Sequence, residues 1–455
     1  MSYKAVFNEQ QRFFSTYRTR DTGFRKAQLR KLKRLILEHE SLFYEAIYKD
    51  FRKSRFDTFT TELSVILKDI DYYLRHLDRL SRPKKVATNL VNLPGKSRIY
   101  PEPLGVVLVI GAWNYPYQLS LCPLIAAMAA GNCCIVKPSE LPAATMKVMA
   151  QLINGHFDRE YIYVAEGGVP ETTGLLQCRF DKIFFTGSPK VGQIVYEAAA
   201  RLLVPVVLEL GGKSPAIVSR HADIDTAARR IVWGKYLNAG QTCVAPDYVV
   251  VEAAVRQELT DALKKHMAAF DYKADAPHYT AIINDANFDR LTGLLEGAAI
   301  AEGGAYDRER RYIAPAILEP VQWEDDIMQQ EIFGPLLPVL TFNDFDGLLA
   351  RMQEQEKPLA AYLFSNDTTE QEHFLTKLSF GGGCINDVIM HLTNDRLPFG
   401  GIGRSGIGSY HGPFGFDSFS HHKAVLKKAL WGEPSLKYPP YTQKKYKWIR
   451  RLLGL

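Results

Sequence analysis

Residues 103–111 form a continuous apolar run, Pro103-Leu104-Gly105-Val106-Val107-Leu108-Val109-Ile110-Gly111. Proline and glycine bound this run, and branched aliphatic side chains fill its centre. A short run without polar alternation is typical of a strand that is buried on both faces of a parallel sheet. The stretch therefore predicts a fully buried strand.

Three similar runs follow along the chain, and segments of helical character separate them. The apolar runs cover residues 133–138, 161–164 and 182–187, and the helical segments include residues 117–130 and 139–155. Strands that alternate with helices predict an α/β fold with a doubly wound sheet of the Rossmann type. A second α/β stretch begins after the apolar run at 206–209 and extends to about residue 415.

The region before the first buried strand has a different pattern. Residues 5–52 predict one or two charged amphipathic helices, and residues 58–80 predict another, because apolar side chains recur at helical spacing. Residues 84–98 are polar and predict irregular structure with a turn at Pro94-Gly95. We therefore expect surface helices that pack on the α/β core, followed by a loop.

Composition limits the class of protein. The 455 residues suffice for two or three domains, and the 46% hydrophobic and 23% charged fractions are ordinary for a soluble globular protein. The six cysteines are scattered without a CxxC pair, so we expect neither disulfides nor a metal site, and a reducing, cytoplasmic compartment. No signal-peptide core or transmembrane run is present. The net charge of +6 is modest, so no nucleic-acid partner is expected.

One cysteine stands in a turn of small and amide residues, Asn238-Ala239-Gly240-Gln241-Thr242-Cys243-Val244-Ala245-Pro246-Asp247. Gly240 allows a sharp turn and a close approach of the backbone to a ligand. A thiol on such a turn can act as a nucleophile, and free backbone N–H groups can receive a developing oxyanion. The alternative is a buried structural cysteine, which is the commoner role of a lone cysteine.

Two further residues carry suitable chemistry. Glu209 ends an apolar strand, where a carboxyl has a raised pKa and can serve as a general base, or it pairs with Lys213. The loop Ala112-Trp113-Asn114-Tyr115-Pro116 follows the first strand. Its Asn114 offers a neutral N–H donor for an oxyanion, or else it only forms a turn.

These motifs resemble the aldehyde dehydrogenase superfamily. The resemblance rests on Leu208-Glu209-Leu210-Gly211-Gly212-Lys213-Ser214-Pro215, on Gly240-Gln241-Thr242-Cys243, and on ordered matches between about residues 60 and 420. The segment Cys243-Val244-Ala245-Pro246-Asp247-Tyr248 is closest to the class 3 branch, which includes the fatty aldehyde dehydrogenases. The resemblance implies NAD(P)-dependent oxidation of aliphatic or aromatic aldehydes, of medium to long chain, through a cysteine thioester.

The resemblance also implies roles for individual residues. Cys243 would be the nucleophile, Glu209 the base that activates water, and Asn114 would form the oxyanion hole with the Cys243 backbone N–H. The implied substrate pocket includes Tyr115, Trp233 and Thr242. The implied cofactor residues are Trp113, Lys137, Ser139, Glu140, Gly187, Ser188, Gly192, Glu331 and Phe333.

NAD is the expected cofactor, with NADP as the alternative. Glu140 lies beside Lys137 after the second strand, and its charge would repel a 2′-phosphate. Gly187-Ser188 opens a helix after the fourth strand, where backbone N–H groups can meet a pyrophosphate, although the spacing is not GxGxxG. A formal GxGxxG over residues 401–406 is interpreted as a connecting loop, because no buried strand precedes it.

The resemblance further implies three parts of the chain and a homodimer. Residues 1–208 would form the NAD(P)-binding domain with the N-terminal helices, residues 209–415 the catalytic domain, and residues 416–455 a C-terminal oligomerisation or tail segment. Residues 83–103 would belong to the small oligomerisation extension.

Other functions remain open on these residues. A cofactor-independent cysteine hydrolase would need a histidine, and no pattern links any candidate to Cys243; the candidates are His391, His411, His421 and His422. A catalytically silent binding relative is disfavoured, because a nucleophile, a base and an oxyanion amide are all present. Acyl transfer to coenzyme A is disfavoured, because it needs no hydrolytic base such as Glu209.

The C-terminus has a pattern of its own. Residues 444–455 carry five basic side chains and no acidic one. On a helical wheel one side is apolar, and its members are Tyr446, Trp448, Ile449, Leu452, Leu453 and Leu455. Such a segment can contact an anionic membrane surface, or it can pack on the substrate funnel or on a partner subunit.

Overall fold

A computed structural model describes residues 3–455. The N-terminal helices are α1 (Tyr3–Ser15), α2 (Thr22–Glu38), α3 (Glu40–Phe51), α4 (Arg55–Thr58) and α5 (Ser64–Leu80), with a π-helical turn at Phe59–Leu63. The following helices are α6 (Pro116–Ala130), α7 (Ala143–His156), α8 (Val169–Leu176), α9 (Pro189–Arg201), α10 (Ile224–Tyr236) and α11 (Arg256–Phe270). The remaining helices are α12 (Asp285–Gly293), α13 (Asp326–Gln329), α14 (Phe345–Gln353), α15 (Thr368–Lys377), α16 (Gly412–Ser418) and α17 (Gln443–Leu452).

The strands fall into two halves of the chain. Those of the first half are β1 (Lys84–Val86), β2 (Gly95–Pro103), β3 (Val106–Ile110), β4 (Cys133–Lys137), β5 (Ile162–Val164), β6 (Lys182–Thr186), β7 (Val206–Glu209) and β8 (Pro215–Val218). Those of the second half are β9 (Tyr248–Glu252), β10 (Ile300–Gly303), β11 (Tyr306–Asp307), β12 (Tyr312–Ile313), β13 (Ala316–Leu318), β14 (Leu336–Phe342), β15 (Ala360–Phe364), β16 (Gly382–Ile385), β17 (Gly406–Ile407) and β18 (Ser420–Lys428).

A six-stranded sheet in the order β17-β7-β6-β3-β4-β5 contains the four predicted buried strands. All five residues of β3 are buried, and β3 pairs in parallel with β4 on one side and β6 on the other. The doubly wound prediction is therefore confirmed. The strand order reverses between β3 and β6, and α/β sheets bind ligands at the carboxyl ends of strands at such a point.

The second α/β stretch forms a seven-stranded sheet in the order β10-β13-β14-β9-β8-β15-β16. Its strands are parallel except at β10. The chain then returns to the first sheet, because β17 pairs antiparallel with β7 and brings Gly406 opposite Glu209. Side chains of α16 complete the core around the first sheet.

The prediction for residues 84–98 was wrong, because these residues belong to a third, three-stranded sheet. These residues were expected to be irregular, but β1 and β2 lie there and pair with β18 in the order β1-β2-β18. Neither face of β18 is buried, since its residues are exposed apart from the two half-buried ends. Such strands carry no apolar alternation, so the periodicity that marks half-buried strands was absent from the sequence.

The N-terminal helices also differ from the prediction. Residues 5–52 contain three helices rather than one or two, because Asp21 caps α2 and the chain breaks again at His39. The helix predicted over 139–155 begins only at Ala143. The Asp50 carboxylate accepts hydrogen bonds from Ala144 N and Thr145 N at 3.0 and 2.8 Å and so provides its cap from a distant element.

Candidate active site

The cysteine turn adopts a left-handed backbone after α10. Asn238, Ala239 and Gly240 have φ angles of 56°, 53° and 74°. A Cβ atom at Gly240 would lie 2.2 Å from the Gly334 carbonyl oxygen, so the close approach requires glycine. The turn that the sequence predicted for Gly240 is thus present.

Buried amides hold this turn against the loop after β3. Asn114 Nδ2 donates to the Gln241 carbonyl at 3.0 Å, and Asn238 Nδ2 donates to the Asn114 carbonyl at 3.0 Å. Gln241 Nε2 donates to the Asn238 and Ala281 carbonyls, both at 3.1 Å. Because the side-chain amide nitrogens of Asn114, Asn238 and Gln241 all donate hydrogen bonds in buried positions, they hold the two loops together.

Cys243 and Glu209 face the same cavity, which has a volume of about 340 Å³. The Cys243 side chain is half-buried and its thiol is free. Most of the cavity wall is apolar or aromatic. Its members include Phe56, Val65, Tyr115, Leu119, Leu210, Trp233, Leu237, Val244, Ile389, Met390, Leu392, Phe399 and Tyr410.

Glu209 is a buried carboxyl without a partner. Its side chain is 3% exposed, and neither carboxylate oxygen has a hydrogen-bond partner within residues 3–455. Lys213, the alternative partner, instead forms an ion pair with Asp247 at 2.5 Å. Burial raises the pKa of Glu209 well above its ordinary value, so the group is a strong base when ionised.

The same environment acts on the thiol. Burial raises the pKa of Cys243 to about 12, and the carboxyl groups of Glu331 and Glu209 add to the shift. The sulfur is therefore protonated at neutral pH in this state, and a base or a nearby positive charge is needed to form the thiolate.

The predicted pocket residues also meet at this cavity. Tyr115, Trp233 and Thr242 all line it. The Tyr115 hydroxyl lies 2.6 Å from Thr242 Oγ1, which ties the loop after β3 to the residue before the cysteine. Asn114 is buried and does not itself line the cavity; it precedes Tyr115 in the chain, and its donation to the Gln241 carbonyl fixes the orientation of its amide.

The predicted cofactor residues lie at the carboxyl ends of the first sheet and across a second cavity. Ser188 caps α9 and lines this cavity of about 580 Å³ together with Glu331. Burial and the charge of Asp247 raise the pKa of Glu331 to about 8. A Cβ atom on Gly211 would lie 2.0 Å from the Glu331 carboxylate, so Gly211 is what makes room for it.

The other predicted cofactor residues do not line this cavity, and they come from both halves of the chain. The Trp113 and Phe333 rings meet edge to face with centroids 5.2 Å apart. Lys137 is buried at the end of β4, and its Nζ lies 3.9 Å from the Glu140 carboxylate. Ser139 and Gly187 are half-buried. Ser139 is not a helix cap, since α7 begins after Pro142.

Gly192 differs from the rest of this set. It is buried, and a Cβ atom there would lie 2.6 Å from a Leu210 methyl carbon. Its lack of a side chain therefore lets α9 pack against the end of β7. This packing explains why residue 192 is a glycine, and no contact with a cofactor is needed.

Comparison with known proteins decides the family. Residues 2–425 match the family model described as "Aldehyde dehydrogenase family". The chain belongs to the aldehyde dehydrogenase family. It is therefore an NAD(P)-dependent oxidoreductase that oxidises aldehydes, and this favours the dehydrogenase interpretation over the hydrolase and the silent relative.

Individual relatives cover nearly the whole enzyme. The 4,4'-diaponeurosporen-aldehyde dehydrogenase of Staphylococcus aureus is 46% identical over 98% of this chain and 97% of its own length. Aldehyde dehydrogenase family 3 member A2 of Mus musculus is 45% identical over 97% of this chain and 92% of its own. A solved structure described as the substrate-bound state of Staphylococcus aureus AldH matches with a TM-score of 0.97 and 45% identity, covering 99% of both chains.

The structure separates two of the histidines that the sequence offered as candidates in this aldehyde dehydrogenase. His411 lines the cavity with Cys243, although no pattern linked them; burial lowers its pKa to about 4, and its ring stacks on Phe399 at 5.2 Å. His391 instead contacts the half-buried Cys384, with Nδ1 3.6 Å from Sγ. The GxGxxG at residues 401–406 leads into β17 rather than into a helix of a cofactor loop, as the sequence interpretation held.

No group of His, Cys, Asp and Glu that could hold a metal ion is found in residues 3–455 of the enzyme. Over the same residues, no helix is both long and apolar enough to span a membrane.

Proposed function

We infer that Cys243 is the nucleophile and Glu209 the hydrolytic base. The observation that carries this is the shared cavity, into which a free thiol and an unpartnered buried carboxyl both project. Buried carboxyls are ordinarily hydrogen-bonded. The two unpartnered Glu209 oxygens, in the same cavity as a thiol, therefore suit a general base that binds the hydrolytic water.

In this proposal, the Cys243 thiol gives its proton to water, its thiolate adds to the aldehyde carbon, and the Asn114 amide with the Cys243 backbone N–H stabilises the oxyanion. One Asn114 N–H already donates to Gln241, so the amide is preorganised and its second N–H remains for the oxyanion. When bound, the nicotinamide cofactor accepts the hydride of the aldehyde carbon. Glu209 then takes a proton from the water that cleaves the thioester, which releases the acid and the thiol.

The cofactor would lie at the switch point of the first sheet. Ser188 at the start of α9 would face the pyrophosphate, Lys137 the adenosine ribose and Glu331 the nicotinamide ribose. The fit is supported by the space that Gly211 leaves for Glu331 and by the cavity that Ser188 and Glu331 share. Glu140, exposed beside Lys137, favours NAD over NADP by repelling a 2′-phosphate.

The substrate would be an apolar aldehyde of medium to long chain. The cavity wall is dominated by aliphatic and aromatic side chains, and it extends from Cys243 past Trp233 to exposed Phe56 and Met390. Each methylene that this wall buries contributes about 0.8 kcal/mol, which equals about a fourfold gain in kcat/KM.

The test uses purified protein, NAD or NADP, and a series of straight-chain aldehydes, followed by the absorbance of reduced cofactor. We expect kcat/KM to rise with chain length and to be higher with NAD. A profile without chain-length dependence would contradict the substrate proposal, and cofactor-free ester hydrolysis as the sole activity would contradict the dehydrogenase.

The chain would divide into a cofactor domain, a catalytic domain and an oligomerisation extension. In a homodimer, the second copy would cover the layer of β1, β2 and β18. A narrow three-stranded ribbon is poorly stable by itself, and its edge strand β18 is exposed on both faces, including the apolar side chains of Val425 and Leu426. A second copy is the favoured partner, since a rat relative named "Aldehyde dehydrogenase, dimeric NADP-preferring" is 43% identical over 95% of this chain and 96% of its own.

Sedimentation equilibrium tests the dimer. The wild type should sediment at about twice the 51.4 kDa chain mass, and Val425→Glu with Leu426→Glu should shift it toward the monomer, because buried charges are costly. Leu375→Glu, at an exposed aliphatic side chain of α15 outside this layer, is the matched control, and a monomeric wild type would contradict the proposal.

The C-terminal helix α17 would contact an anionic membrane surface. Every residue of α17 is at least partly exposed, and Thr442 caps it by accepting from Lys445 N at 3.3 Å. Basic and apolar side chains thus face solvent on one short helix, and each basic residue near an anionic surface contributes about 1 kcal/mol.

Vesicle sedimentation tests the tail. The full-length protein should co-sediment with phosphatidylserine vesicles at low salt, raised salt should weaken this, and deletion from Lys444 onward should lower it. Arg450→Gln with Arg451→Gln should lower it partly, with the apolar side retained. If the truncated protein sediments like the full-length protein, and its aldehyde chain-length profile is unchanged, the tail is neither a membrane contact nor a gate.

A further inference from the structure

A buried ion pair lies directly behind the cavity wall. Lys53 Nζ donates to Glu62 Oε1 at 2.7 Å, and the two side chains are 1% and 0% exposed. Burying two charges costs about as much as their attraction returns, so such a pair contributes little stability over apolar residues of the same volume. Stability alone therefore does not account for a charged pair at this place.

The Lys53 end of the pair leads to the nucleophile. Its ammonium lies 3.9 Å from the centroid of the Tyr115 ring, a favourable cation–π distance in a desolvated site. The Tyr115 hydroxyl in turn lies 2.6 Å from Thr242 Oγ1, and Thr242 precedes Cys243. A continuous line of contacts thus joins Lys53 to the cysteine turn.

The Glu62 end leads to the oxyanion amide. Its second oxygen accepts from Tyr117 N at 2.8 Å and from Gln118 N at 3.3 Å, at the start of α6. Helix α6 has no side-chain cap of its own, so Glu62 supplies both the acceptor and the negative charge that a helix N-terminus favours. Asn114 lies two residues before Pro116, the first residue of this helix.

Glu62 reaches this position because the backbone there forms a π-helical turn, Phe59–Leu63. Thr60 and Thr61 of the same turn line the catalytic cavity, while Glu62 points into the protein. Single π-turns inside α-helices occur frequently at functional sites. The turn therefore couples the cavity wall to the cap of α6.

We propose that the Lys53–Glu62 pair is a positioning device for the reaction, fixing the Asn114–Tyr115 turn so that the oxyanion amide and the cysteine turn keep their mutual geometry. The proposal rests on the assignment of Cys243 and Asn114 made above. Neither Lys53 nor Glu62 touches the substrate; they act through Tyr115 and the start of α6.

Two reactions of Cys243 distinguish a misplaced oxyanion amide from a general destabilisation of the fold. Iodoacetamide alkylates the thiolate by displacing iodide at a saturated carbon, and no oxyanion forms. p-Nitrophenyl acetate acylates the same sulfur through a tetrahedral oxyanion before p-nitrophenolate leaves. Only the second reaction needs the oxyanion amide in place, and neither reaction requires a cofactor.

The variants are Lys53→Met and Glu62→Gln, which remove one charge each and keep the volume. We expect acylation to slow by about tenfold to 100-fold, as for a misplacement near 1 Å, while alkylation at Cys243 stays near the wild-type rate. Alkylation is followed by mass spectrometry of the Cys243 peptide, and thermal melting reports the fold. With aldehyde and NAD, kcat should fall more than KM rises.

Asp50→Asn is the matched control. Like Glu62, Asp50 accepts from the N-terminus of a helix that belongs to another part of the chain, but its helix is α7, away from the cavity. It should lower the melting temperature without changing the ratio of acylation to alkylation. An unchanged ratio in both pair variants, or an equal fall in Asp50→Asn, overturns the proposal. If neither pair variant folds, Tyr115→Phe decides, because loss of the Thr242 contact should lower the same ratio, and an unchanged ratio overturns it.

The Cys243→Ala variant distinguishes a failure of the positioning proposal from a failure of the nucleophile assignment on which it rests. It should abolish the enzyme's acylation by the ester. If acylation persists in Cys243→Ala, the nucleophile assignment fails, whereas a normal wild-type reaction with an unaffected ratio in the variants rejects only the positioning role.

Discussion

Cys243→Ala is expected to lower aldehyde oxidation by on the order of 10⁴-fold or more, since no covalent intermediate can form without the sulfur. Binding of NAD should persist, because Ser188, Lys137 and Glu331 are untouched by the change. The measurements are turnover by the absorbance of reduced cofactor and NAD binding by calorimetry, with thermal melting to verify the fold.

Cys384→Ala is the matched control for this prediction. Cys384 is also a free, half-buried thiol, but it lies on β16 beside His391 and does not line the cavity. Its variant should turn over near the wild-type rate. Near wild-type turnover in Cys243→Ala, or a comparable loss in Cys384→Ala, would mean that the turn after α10 does not supply the nucleophile.

The buried strands were predictable from the sequence because both of their faces are covered. Strand β3 is a run of five aliphatic residues bounded by proline and glycine, and this length and composition are typical of a strand buried on both faces. Strand β18 was not predictable, because nearly all of its residues are exposed and its alternation carries no apolar face. Its pairing with β2 depends on residues more than 300 positions away, which no local pattern records.

The candidate site divides in the same way. Cys243 follows a turn in which Gly240 adopts the left-handed backbone, and Glu209 ends the apolar strand β7, so local sequence patterns indicated both residues. His411, by contrast, reaches the cavity through the return of the chain beside β17, and Lys53 and Glu62 reach it from the N-terminal helices. Their roles depend on tertiary packing, so neither spacing nor composition indicated them.

Glu209→Gln is expected to separate the two halves of the reaction. The first half, up to the thioester, should proceed, and hydrolysis should slow by about 100-fold or more, the usual contribution of a general base. A burst of reduced cofactor should therefore precede a slow steady state, which stopped-flow absorbance would resolve. Loss of the burst with retained cofactor binding would show that Glu209 acts earlier, and an unchanged steady state would remove it from the reaction.

The same variant has a second, independent readout in stability. Burial raises the pKa of Glu209 above its unfolded value near 4.5, so between those two values the folded state holds a proton that the unfolded chain has lost. This group therefore lowers the free energy of unfolding by about 1.4 kcal/mol per pH unit as pH rises through that window. Glutamine does not titrate, so Glu209→Gln should melt higher than the wild type at pH 8, by a margin that shrinks toward pH 5. If the difference in melting temperature between the two proteins did not depend on pH, Glu209 would be ionised in the folded enzyme over this range. Its pKa would then not be raised by burial.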